Sequence, residues 1–279
     1  MPGRLQRAAY DLLLSHEANG EIPTNGRFIF YELEGLGVVF KPKKGMKRGT
    51  ADRPGPMELT EALTVLRKVG LVPWEWIVDE TRTLHEWEYA SSVAEYVKDA
   101  LRYASINPWD GEPPLLLVES RSLGGVLRHT VMPYLVPIAA TNGQVGGFLH
   151  TDVVPLLARG ERNVIYLGDL DLQGEQIEEN TRWVLETELA CDLEWERIAI
   201  TMAQVEEHGL PPLLKSDNRY RPARTFEAWE CEALGQREII DLVTAALDRL
   251  LPTSLASVQE RERDERARLE EFLDGWEDE

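Results

Sequence analysis

Hydrophobic and polar positions follow two different rhythms along this chain. Through roughly the first hundred residues the spacing is helical. LQRAAYDLLLSHE (5–17) repeats its apolar positions with a helical period. GRFIFYELEGLG (26–37) follows, with Thr24 as its expected N-cap and Gly35 and Gly37 as its stop. MELTEALTVLRKVGLV (57–72) is an amphipathic helix closed by Gly70, and YASSVAEYVKDALRYA (89–104) is another. Past NPWDGEPP (107–114) short apolar runs end on polar residues and alternate with helical stretches. The runs are LLLVES, YLVPIAAT, VIYLGDLD and WERIAIT; SLGGVLRHTVM, GQVGGFLHTDVVPLLARG and GEQIEENTRWVLETEL lie between them. This alternation predicts an α/β fold, a parallel sheet covered on both faces. The expected organisation is a helical, winged-helix-like unit over 1–106, a sheet domain over 107–235 and a C-terminal helical segment over 236–279.

Composition narrows the class. The 279 residues carry 49 Asp and Glu against 30 Lys and Arg, a net charge of −19, so a uniformly basic nucleic-acid binder is excluded. No apolar run is long enough to span a membrane, and two cysteines are too few for a disulfide framework. A cytoplasmic protein is expected. The charge is uneven. SVQERERDERARLEEFLDGWEDE (257–279) is acidic and reads as a solvated terminal helix. KPKKGMKRGTADR (41–53) sets Lys41, Lys43, Lys44, Lys47, Arg48 and Arg53 against the single Asp52, an array suited to phosphates. Lys215, Arg219, Arg221 and Arg224 in KSDNRYRPAR form a second candidate phosphate patch. Trp74, Trp76 and Trp87 read as packing anchors, with base stacking as the alternative.

Chemistry concentrates at strand ends. Asp169 and Asp171 close the third run two positions apart, so on an extended backbone both point to one side. Glu119 closes the first run. In open α/β sheets ligands bind beyond the carboxyl ends of strands, where all three fall. Oxygen donors with no neighbouring His or Cys suit Mg²⁺ or Mn²⁺, and the five scattered histidines have no zinc spacing. The bland reading of the same residues is that Asp171 caps a helix and Asp169 is a solvated loop residue.

A strand ending in Glu, a second strand-helix unit, and a strand ending in D-x-D-x-x-G resemble the Toprim domain of topoisomerases, primases and nucleases. TFEAWECEAL (225–234) is similar to a late acidic segment of one Toprim branch, that of the topoisomerase VI A subunit, the meiotic double-strand-break transesterases and defence-system nucleases. TNGRFIFYEL (24–33) resembles that branch's tyrosine motif, with Phe28 where an acidic residue is usual and one extra residue between Thr24 and Arg27. The resemblance implies DNA as substrate, Glu119, Asp169 and Asp171 as metal-site residues, Glu230 as a further functional carboxylate, and Tyr31 as nucleophile. Arg27 would favour the phenolate and grip the phosphate. It also implies a homodimer, with Tyr31 meeting the acidic site across the dimer. No P-loop is present, so strand passage would require a separate ATPase partner subunit. Two alternatives stay open: a hydrolytic nuclease using the same carboxylates, and a DNA-binding protein with an idle site.

Overall fold

The structure, a computed structural model, describes residues 3–41, 49–50, 52–78, 90–141, 148–160, 163–217 and 224–277. Lys43, Lys44, Lys47, Arg48, Trp87, Arg219 and Arg221 lie outside the described residues. The fold is mixed α/β: helices at both ends of the chain flank a central parallel sheet.

The N-terminal helices are α1 (Arg4–Asn19), α2 (Gly26–Gly35) and α3 (Pro56–Lys68). They bury Ala9, Leu13, Ile29, Phe30, Leu33, Leu59, Leu63 and Leu66 among themselves. Thr24 does not cap α2. Its backbone is pinned between Trp76 and Val78 in a parallel bridge, at 2.9 Å to each. The cap passes one residue on, to Asn25, whose Oδ1 accepts from the amides of Arg27 (2.8 Å) and Phe28 (2.9 Å). Gly37 and Gly70 follow α2 and α3 in the left-handed region, as the stops required. Trp76 packs on this core, whereas Trp74 is 56% exposed under the Arg67 guanidinium.

After α4 (Val93–Tyr103) come β1 (Leu115–Val118), α5 (Arg121–Val131), β2 (Ile138–Ala140), and a π-helical turn (Leu149–Val153) leading into α6 (Val154–Leu157). Then follow β3 (Asn163–Leu167), α7 (Leu172–Leu189), β4 (Glu194–Ala199) and α8 (Met202–His208). All four predicted strands form one parallel sheet in the order β2-β1-β3-β4. Strand period divides its faces. Leu116, Val118, Ile165 and Leu167 meet residues of α5 and of α9 (Gln236–Leu250), while Leu115, Leu117, Val164 and Tyr166 meet α6 and α7. An antiparallel pair, β5 (Leu213–Asp217) and β6 (Arg224–Ala228), lies beside the sheet. The acidic tail is helical, as predicted: α10 (Leu255–Glu277). It pairs with α4 through Lys98–Asp274 (3.0 Å) and the Arg266 bond to the Ala104 carbonyl (2.7 Å).

Phe28 joins the two halves. Ile29 and Phe30 turn into the helical core, but Phe28, fully buried, enters the sheet core with Leu116, Val118 and Trp229. A charged residue at this position would have to be desolvated in that core.

Candidate active site

β1 and β3 are neighbours, and the connections out of them run to opposite edges of the sheet, so a crevice opens at their carboxyl ends. Glu119 and Asp169 stand there. The Glu119 amide donates to the Leu167 carbonyl (2.9 Å), and the Asp169 amide donates to Glu119 Oε2 (2.9 Å). Glu119 therefore points into the crevice and braces the loop that carries the aspartates. Asp171 is the N-cap of α7: its Oδ1 accepts from the amides of Gln173 and Gly174, both at 2.8 Å. The bland reading of Asp171 is thus realised in one oxygen. The other, Oδ2, takes a salt bridge from Lys215 Nζ at 2.5 Å. Asp169 is not a solvated loop residue, since its Oδ1 accepts from the Cys231 amide at 3.0 Å. The glycine of D-x-D-x-x-G has a steric cause. A Cβ on Gly174 would stand 2.4 Å from the Asp169 carbonyl oxygen and 3.3 Å from Glu119 Oε2.

An antiparallel bridge between Leu170 and Trp229 lays the end of β6 against this loop, and the next residues face α2. Tyr31 Oη donates to Glu230 Oε2. The Arg27 fork spans both following carboxylates, at 3.0 Å to Glu230 Oε2 and 3.1 Å to Glu232 Oε1. Glu232 is fully buried and also accepts from Ser120 Oγ at 3.4 Å. Lys41 lies 4.5 Å from the Tyr31 ring centre and 3.5 Å from Glu34. The sequence reading missed Glu232, although Glu230 and Glu232 repeat the two-residue spacing of the aspartates.

Electrostatics follow this crowding. Burial, then the neighbouring Asp169 charge, pushes the Glu119 carboxyl up to about 7. Burial raises Asp169 as well, against the Cys231 amide and Arg27. Burial opposes ionisation of Asp171 too, but the Lys215 bond and the Gly174 amide outweigh it and hold it below its ordinary value. For Glu230, burial is likewise outweighed, by Arg27 and the Tyr31 hydroxyl. Arg27 does pull the Tyr31 phenol down, as expected, but other contributions are larger. Burial, followed by the bond to Glu230, raises the phenol, and the opposing pull of Arg27 is smaller. Tyr31 rests neutral.

Tyr31 and Arg27 meet Glu230 and Glu232 of their own chain. Among the described residues no group of three or more His, Cys, Asp or Glu side chains is arranged to hold a metal ion. The donors are nevertheless hard oxygens, and of the three carboxylates only Asp171 is paired directly with Lys215. That donor chemistry fits Mg²⁺ or Mn²⁺. Comparisons with protein-family models, curated proteins and solved structures found no match.

Proposed function

We propose that this protein cleaves DNA in a Mg²⁺- or Mn²⁺-dependent transesterification, with Tyr31 as nucleophile. The observation that carries the reading is the cluster Tyr31–Glu230–Arg27–Glu232, built from residues about two hundred positions apart and set beside the strand-end carboxylates. The order of a Glu-ended strand next to a D-x-D-ended strand supports the likeness to the Toprim branch.

The neutral Tyr31 phenol gives its proton to Glu230 as its oxygen bonds to phosphorus and the bond from phosphorus to the 3′ oxygen breaks. Arg27 holds Glu230 ionised to receive that proton and offers remaining N–H groups to the phosphate. Glu119, with a value near neutrality, delivers a proton to the leaving oxygen. Asp169 and Asp171 would hold the ion, which when bound would offset charge on the phosphate and the leaving group, and Glu119 would complete the ligand set only once its proton has gone. Strand passage, if this protein takes part in it, would fall to a homodimer with an ATPase partner.

The raised Tyr31 phenol favours a second reading, in which Tyr31 anchors Glu230 and water attacks the phosphate. Incubating plasmid with protein and Mn²⁺, then digesting with protease, separates the readings. DNA retained on protein until digestion supports Tyr31 attack; free ends without digestion support hydrolysis. Intact plasmid under all divalent ions refutes both.

A further inference from the structure

A cleft of about 610 Å³ opens between α2, α3 and β5, and Tyr31 stands in its wall. Most of that wall is carbon: Phe30, Pro56, Leu59, Leu63 and Leu214 line it. One rim is different: Arg27, Lys41 and Lys215 line it. Arg27 is paired with Glu230 and Glu232, Lys41 with Glu34 and Lys215 with Asp171, and a phosphate there would share these cations. A phosphodiester has no use for apolar walls, and a base within a duplex reaches them only after leaving the stack, at a cost in pairing and stacking. A single nucleotide satisfies both parts, with its base against the carbon wall and its phosphate on the cationic rim. The size suits one planar base with its sugar.

Resting on the DNA-cleavage reading, we infer that this cleft is a subsite for an unstacked nucleobase adjoining the phosphate attacked at Tyr31. The base lies between the Phe30 edge and the Leu59–Leu63 face of α3, with Leu214 closing the open side. The preferred substrate is then single-stranded or locally unpaired DNA, because a base must leave the stack before its phosphate reaches Tyr31.

The test is an abasic scan with Ca²⁺ as the divalent ion, using oligonucleotides whose cut position has been mapped. Affinity is measured for the intact strand and for strands lacking one base at each position around the cut. One position is expected to lose roughly tenfold in affinity when its base is removed. Thr60 lines the cleft from an exposed helix face, so T60W narrows it without touching the core. T60W should weaken the intact strand by a similar factor yet add nothing for the abasic strand. Leu214 is 72% exposed, and L214D should behave alike. A scan flat within about twofold overturns the inference and leaves the cleft to an apolar segment of a partner. Cleavage with a flat scan overturns this subsite alone; wild-type protein that neither binds nor cuts DNA overturns the cleavage reading with it.

Discussion

Tyr31 and Glu230, 199 positions apart, share a hydrogen bond that ties α2 to the strand-end loop of the sheet. Each controls the other's proton. The bond raises the phenol and lowers the carboxyl, so the pair rests as a neutral tyrosine and a carboxylate.

Y31F removes the transferable proton while keeping the ring and its edge-on contact with Phe30 (5.8 Å between centres). If Tyr31 attacks, protein-bound DNA disappears and cleavage falls by at least about a hundredfold, as expected for a lost nucleophile. Gel mobility of DNA before and after protease treatment reads this out. Cleavage persisting near the wild-type rate assigns the attack to water.

R27A should destabilise the fold more than an exposed arginine would. Glu232 is wholly buried, and without Arg27 its remaining side-chain partner is Ser120 at 3.4 Å. Leaving such a carboxylate without its cation costs about 3–5 kcal/mol. E232Q removes the charge, so R27A/E232Q should recover part of the loss in urea denaturation. Additive losses in the double variant would mean that the two side chains are not coupled.

The raised Glu119 carboxyl makes a pH prediction in metal-free buffer. Its value is about 7 in the fold against an ordinary 4.5, so folding favours the protonated form. That contribution is fully present below pH 4.5 and is lost as pH rises through about 7. E119Q should therefore be more stable than wild type at pH 8, by up to about 3 kcal/mol, with the advantage vanishing near pH 4.5. Thermal melts in EDTA at the two pH values measure it; equal differences at both would refute the coupling.

G174A places a methyl 2.4 Å from the Asp169 carbonyl oxygen, so the D-x-D loop must shift. A loss of about 1–3 kcal/mol in stability is expected, the usual cost of overpacking. Weaker Mn²⁺ binding by calorimetry should accompany it. Unchanged stability and binding would show that the loop has room the structure does not give it.

Much of this was legible in the chain itself. All four strands of the sheet were readable because each is a short apolar run ending on a polar residue at the sheet's edge. Glu119, Asp169 and Asp171 stood out by chemistry and spacing, which are local properties, whereas Arg27, Tyr31 and Glu230 stood out only through the resemblance. Thr24 misled because its capping ability is also local. A bridge to Trp76 and Val78, more than fifty residues downstream, takes its backbone and passes the cap to Asn25.

Sequence alone determined the rhythm of the elements and placed carboxylates at two strand ends, since periodicity and side-chain chemistry need only neighbours along the chain. Tertiary packing alone decided that Phe28 belongs to the sheet core, that Glu232 clamps Arg27, that Lys215 sits on Asp171, and that Tyr31 rests neutral. Desolvation and charge coupling depend on which distant groups share a low-dielectric space, and no spacing along a chain encodes that.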